Sequence, residues 1–257
     1  MKAKSQHQLF EEFMQIVRRL RRECPWDREQ THQSIRQSLI EEAYEVVETI
    51  DHNNLEELKK ELGDLLLHVA LHSVMAEEQK VFSINDVLEH VSEKLIRRHP
   101  HVFGNVTAKT PHEVKVNWER IKMAEGRESV TDGVPKELPA LLRAFRLQEK
   151  ASKIGFDWKK KEDVWKKIEE EMEELQSATR SRNQENVEDE LGDFLFSLVN
   201  YARFLHVNPE IALRRSIDKF TRRFKHIEKE LRRQGKTLEH STLEEMDALW
   251  NASKKLG

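Results

Sequence analysis

Two sets of carboxylates with the same spacing mark this chain. Glu41, Glu42 and Glu45 form an E-E-x-x-E run, and Glu61 and Asp64 belong to an E-L-G-D run. The set returns 129 positions later as Glu170, Glu171 and Glu174, followed by Glu190 and Asp193. Four hard oxygen donors per copy suit Mg²⁺, or Mn²⁺, better than zinc. Such a cation keeps open positions for water and substrate phosphates. The expected metal ligands are therefore Glu42, Glu45, Glu61 and Asp64 in the first copy, and Glu171, Glu174, Glu190 and Asp193 in the second. A single acidic run also fits a solvated helix face; the recurrence of all four acids argues for a site.

Helices must position these groups. Leu39, Ala43, Val46, Val47 and Ile50 form one apolar stripe at helical spacing, and Leu58, Leu62, Leu65, Leu66 and Val69 form another. At about 100° per residue, Glu42 and Glu45 lie on one flank of the first stripe. Glu61 and Asp64 take the same flank of the second. The short Asp51–Asn54 connection makes the helices antiparallel neighbours, and facing stripes bring the four acids together. The second copy repeats this with Ile168, Met172 and Leu175 against Val187, Leu191, Phe194 and Leu198. Asn54 and Asn183 suit the N-caps of the helices carrying E-L-G-D. Gly63 and Gly192 stand inside those helices at a cost of about 1 kcal/mol relative to Ala, which predicts close backbone approach there. Glu41 and Glu170 project away. His68 fits either a carboxylate–histidine bundle or ordinary packing, and its counterpart is Ser197.

The duplication extends beyond the acids. Lys94, Arg97 and Arg98 reappear as Lys219, Arg222 and Arg223, and Trp118 with Lys122 reappears as Trp250 with Lys254. Lys219 and Arg223, at i and i+4, form either a two-point phosphate clamp or plain surface charge. Trp250 either stacks on a nucleobase or plugs a core edge. Ala124–Pro139 holds two Gly and two Pro and interrupts helical periodicity. The expected organisation is a helical domain over 1–125, a linker over 126–139 and a second helical domain over 140–257. Helices are predicted near 9–22, 35–50, 55–78 and 84–98, with a short one near Trp118. No stretch alternates as a strand would. The fold class is all-α, with tandem four-helix-bundle-like domains.

Composition excludes several alternatives. With 44 basic and 47 acidic residues the net charge is −3, which gives no argument for nucleic acid or an anionic membrane. No apolar run approaches the roughly 20 residues of a membrane span, and the polar N-terminus has no signal-peptide core. The single Cys24 cannot form an internal disulfide, so a cytoplasmic location is expected, with Cys24 a packed side chain. Glycine-rich phosphate loops, H-E-x-x-H and G-x-S-x-G are absent from the sequence. With no protein nucleophile and no identifiable general base, direct attack by water is expected.

The chain resembles the MazG-type nucleoside triphosphate pyrophosphohydrolases. The likeness rests on C-P-W-D at Cys24–Asp27, both E-E-x-x-E…E-L-G-D sets, R-R-H-P-H-V-F at Arg97–Phe103, G-F-D-W at Gly155–Trp158 and K-F-T-R-R-F at Lys219–Phe224. It implies an all-α dimer and Mg²⁺-dependent conversion of a nucleoside triphosphate to the monophosphate and pyrophosphate. It also implies hydrolysis in the C-terminal half, with metal roles for Glu171, Glu174, Glu190 and Asp193 and nucleotide contacts for Lys219, Arg223 and Trp250. Arg98 is followed by His99-Pro100, which should end the first-copy helix just past its clamp. The first copy is therefore expected to bind metal and to serve mainly in assembly. The competing expectation is a non-enzymatic helical module that binds nucleotide or protein and uses its acids as structural ion sites.

Overall fold

A computed structural model describes residues 3–126, 128–181 and 183–254, apart from the side chains of residues 112 and 119. The first two residues of the polar N-terminus and residue 127 of the expected linker lie outside that set. Among the described residues the structure is all-α. The first helices are α1 (Gln6–Glu23), α2 (Pro25–Glu29), α3 (Arg36–Asp51), α4 (Leu55–Glu78), α5 (Ile84–Arg98), α6 (Pro100–Phe103) and α7 (Pro111–Ala124). There follow α8 (Ala140–Lys153), α9 (Lys161–Ser181), α10 (Gln184–Phe204), α11 (Pro209–Arg233), a 3₁₀ turn (Leu238–His240) and α12 (Leu243–Ser253). The chain divides into two compact units, 1–118 and 119–257, with the division inside α7. Among the described residues no helix is long and apolar enough to cross a membrane.

In the first unit α4 is the central helix, packed by α1, α3 and α5. Its C-terminal half buries Ala70, Leu71, Val74 and Met75 against Met14, Val17, Ile35 and Ile84. Its N-terminal half is more open and carries Glu61 and Asp64 beside α3. The buried Arg21 ties three elements together: it donates to both carboxylate oxygens of Glu78, at 3.1 and 2.6 Å, and to the carbonyls of Asp27 and Gln30. Several stripe residues stay exposed instead of facing the neighbouring helix, among them Ile50, Leu62, Leu66 and Val69.

In the second unit α9 and α10 pair closely, and α8, α11 and α12 complete the bundle. Buried Lys150 donates to the Val130 and Asp132 carbonyls at 3.0 and 2.7 Å. Part of the segment read as a linker is thereby held against this unit.

The expected caps form. Asn54 Oδ1 accepts the Glu57 N–H at 3.2 Å, and Asn183 Oδ1 accepts the Glu185 N–H at 3.1 Å. Helix α5 ends at Arg98 and a separate turn of helix begins at Pro100, because proline cannot continue the backbone ladder. One expectation fails. A side chain at Gly63 or Gly192 would meet nothing within 4 Å, so neither glycine marks a close helix crossing inside its unit. Both instead lie on exposed faces of α4 and α10.

Candidate metal and nucleotide site

The helix pairs deliver the acids to common points. In the first unit, Glu42 and Glu45 on α3 and Glu61 on α4 present oxygens within 4.8 Å of one another. Asp64 is close enough for its charge to act on Glu42 and Glu61. In the second unit, Glu171 on α9 meets Glu190 and Asp193 on α10 within the same 4.8 Å. Glu174 belongs to an overlapping group with Glu170 and Glu171. Glu170, placed on the far side by an ideal helical wheel, is drawn in because Lys167 donates to both Glu170 Oε1 and Glu171 Oε1 at 2.6 Å. Those two hydrogen bonds hold the Lys167 ammonium more basic than an ordinary lysine. The position 129 residues before Lys167 is Ser38, so Lys167 has no basic counterpart at the equivalent position of the first copy.

The electrostatics suit a cation. Loss of water contact pushes up the Glu42 carboxyl first, and the charges of Glu45 and Asp64 push it further. Glu61 is raised by the same loss, then by its hydrogen bond to Glu45. In the second unit Glu174 is raised by desolvation and then by Glu171 and Glu190. Glu171 is only 5% exposed, and its Oε2 is buried without a hydrogen-bond partner. A buried carboxylate oxygen costs free energy unless something positive meets it. The donor set is all oxygen, and the crowded carboxylates repel one another. Both features fit a hard divalent cation.

A cavity of about 780 Å³ opens beside these acids in the second unit. Lys167, Glu171 and Asp193 form part of its wall, with Gln148, Asn200 and Trp158. Lys219, Arg223 and Trp250 are not among its lining residues. Lys219 and Arg223 stand on α11 and Trp250 on α12. The Arg223 guanidinium lies 5.5 Å from the Trp250 ring centroid, and Phe220 packs on the same ring at 5.3 Å. Lys219 is exposed. The ring of Trp250 thus packs against both Arg223 and Phe220.

Around His68 the sequence reading missed two residues, His32 and His72. His68 is buried, and its ring lies 6.4 Å from that of His72. His72 in turn meets His32 at 2.7 Å between Nδ1 atoms. Burial holds His72 below the usual histidine range, and His32 and His68 add to that effect. In the second unit the missed residues are Lys167, Gln148, Asn200 and the Asp157–Arg203 pair. Alignment of the two copies was the available signal, because Asn200 and Arg203 stand where the first copy has Leu71 and Val74.

Fold and site together define a duplicated all-α protein whose units each gather carboxylates suited to a divalent cation. The MazG nucleotide pyrophosphohydrolase domain matches residues 30–103 and 159–228, one copy in each unit. Nucleoside triphosphate pyrophosphohydrolase/pyrophosphatase MazG of Thermotoga maritima is 46% identical over 251 residues, which cover 96% of each chain. The nucleoside triphosphate pyrophosphohydrolase of Escherichia coli is 39% identical over 248 residues, 94% of each chain. The uncharacterized protein YabN of Bacillus subtilis is 47% identical over 252 residues, 96% of this chain and 52% of that one. This chain belongs to the MazG nucleotide pyrophosphohydrolase family.

Proposed function

We propose that this protein hydrolyses nucleoside triphosphates to the nucleoside monophosphate and pyrophosphate, and that the second unit carries the reaction. The observation that carries this reading is the meeting of Glu171, Glu190 and Asp193 at a cavity of about 780 Å³, with one buried Glu171 oxygen unpartnered. Glu171, Glu174, Glu190 and Asp193 hold the cation, for which we propose Mg²⁺, with Mn²⁺ able to replace it. When bound, such an ion neutralises phosphate oxygens and makes an attacking water more acidic. The protein's own part is to orient the triphosphate and to concentrate positive charge on it. Lys167 bridges Glu170 and Glu171, and Lys167 and Glu171 stand at the cavity wall. Lys219 and Arg223 contact the phosphates and stabilise charge developing on the leaving pyrophosphate. Trp250 contributes to nucleotide binding through Arg223, whose guanidinium it underlies.

In the first unit Glu42, Glu45, Glu61 and Asp64 bind a cation, but that unit serves mainly in assembly as a homodimer. Exposed apolar rows support self-association: Leu62, Leu66 and Val69 on α4, and Leu191, Leu195 and Leu198 on α10. Each row runs beside a glycine that leaves open space for a partner helix. The reaction is tested by incubating the protein with a nucleoside triphosphate and Mg²⁺ or Mn²⁺ and separating the products. Monophosphate with pyrophosphate is expected. Monophosphate with two orthophosphates indicates stepwise phosphatase action, and no product with any divalent cation returns the protein to the class of binding modules.

A further inference from the structure

Lys150 on α8 is 4% exposed. An ammonium group taken out of water costs free energy unless its donors are met. Lys150 Nζ donates outside its own helix, to the Val130 carbonyl at 3.0 Å and the Asp132 carbonyl at 2.7 Å. These two acceptors flank Thr131, and Thr131 lines the same cavity as Lys167, Glu171 and Asp193. The turn they belong to keeps its own shape. The Ser129 N–H donates to Asp132 Oδ2 at 2.7 Å, the Asp132 N–H donates to the Ser129 carbonyl at 3.1 Å, and the Thr131 N–H donates to Ser129 Oγ at 3.2 Å. Gly133 then leads the chain out of the turn with φ 72°, in the left-handed region. Shape and place are thus set by different residues. Bonds within 129–133 fold the turn, and Lys150 fixes where the folded turn sits.

We infer that the turn 129–133 is a strap in the wall of the second unit's cavity, and that Lys150 is the positioning residue that holds it against a bound nucleotide. The assignment rests on the second unit taking a nucleoside triphosphate. Hydrogen bonds from a charged donor are about twice as strong as neutral ones, so Lys150 is a firmer anchor than the bonds that fold the turn. Its acceptors are main-chain carbonyls, so the clamp acts on the position of the strap and not on any one of its side chains. Thr131 is exposed, and a released strap can turn its carbonyls to water without unfolding the helices behind it. A nucleotide that touches the strap favours the clamped state, and by linkage the clamp favours the nucleotide by the same factor. The acids stand on α9 and α10, outside the strap. Loss of the clamp therefore weakens binding and leaves the bond-breaking step in place.

The test uses the full chain with Mg²⁺ and a nucleoside triphosphate whose α- and β-phosphorus atoms are joined by a methylene bridge. Hydrogen exchange is followed in residues 128–134 and in α10, calorimetry gives the Kd of the bridged nucleotide, and kcat is measured with the hydrolysable one. In the parent protein the bridged nucleotide is expected to slow exchange in the strap about tenfold. Lys150→Met keeps the apolar stem and loses the donors. Its strap should exchange fast with or without nucleotide, and α10 should exchange as in the parent. Its Kd should rise about fivefold, the net worth of one hydrogen bond, with kcat within about twofold. Thr131→Glu changes an exposed side chain, so it folds even if Lys150→Met does not. A carboxylate in the cavity wall repels an anionic ligand and should raise Kd about fivefold. Adding Lys150→Met should cancel most of that rise, because the released strap carries the charge away. Strap exchange indifferent to nucleotide in the parent, an unchanged Kd in either single variant, or a loss confined to kcat overturns the assignment. Nucleotide that slows exchange in α10 alone refutes the strap and leaves the proposed reaction standing. Nucleotide that binds and slows the strap through Lys150, with no pyrophosphate released from the hydrolysable form, refutes the reaction and leaves the strap standing.

Discussion

Replacement of Glu171 by Gln is the most direct perturbation of the second-unit site. The side chain keeps its shape but loses its charge. A unit charge pair about 4 Å apart is worth roughly 4 kcal/mol at the effective dielectric near a protein surface. The loss of a carboxylate facing a divalent cation is of that order or larger, reduced because Lys167 already neutralises one oxygen at 2.6 Å. A net loss of about 3 kcal/mol corresponds to roughly 10²-fold in kcat/KM. Folding is affected much less. Glu171→Gln weakens the contact to Lys167 but relieves repulsion with Glu174, and the two changes oppose each other. The assay is pyrophosphate release across a Mg²⁺ titration, with thermal unfolding of the same sample. The expected result is a large fall in turnover, half-saturation at higher Mg²⁺ and little change in Tm. Glu42→Gln should lose far less. Full turnover in Glu171→Gln at unchanged Mg²⁺ dependence would refute the placement of the reaction. A variant of Glu42 that is the more damaged of the two would reverse the ranking of the units.

Other expectations are as direct. Arg203→Met removes the charge-assisted contacts to Asp157 and frees Asn200, which should cost about 2 kcal/mol, lower Tm by several degrees and raise KM more than it lowers kcat; unchanged KM and Tm would count against the role of the pair. The carboxyls of Glu42, Glu61 and Glu174 are raised in the folded protein, so the folded state binds more protons than the unfolded state above the ordinary carboxylate range. Stability of chelator-treated protein should therefore fall as pH rises through that window, and the gain in Tm on adding Mg²⁺ should grow with pH; a gain independent of pH would show that the acids do not face the ion. Leu195→Glu puts a charge into the exposed row of α10, and sedimentation should show a shift from dimer to monomer if that row is an interface.

The parts of this protein legible in its sequence are those set by the helical repeat. The angular positions of Glu42, Glu45, Glu61 and Asp64 follow from 3.6 residues per turn and a short connection, and the duplication repeats the argument. Asn54, Asn183 and Pro100 act within one turn of their own positions, so neighbouring residues alone predict them. Gly63 misleads because a helical glycine reports only that a side chain is unwanted; the reason lies on whichever surface faces it. Gln148 is invisible for a related reason. One amide on an amphipathic helix reads as an ordinary boundary residue until Phe196, from another helix, takes its donor end and strands its acceptor. The copies supply the missing information where they disagree. Leu71 and Val74 continue the apolar period of α4 and lie in the core, whereas Asn200 and Arg203 break the same period in α10. Polar groups at core positions cost free energy unless each finds a partner. Asn200, Arg203 and Asp157 satisfy most of that demand among themselves, and all three line the cavity. Agreement between the copies marks the ion chemistry they share. Their difference at these positions supports the proposal that the second unit holds the ligand beside its acids.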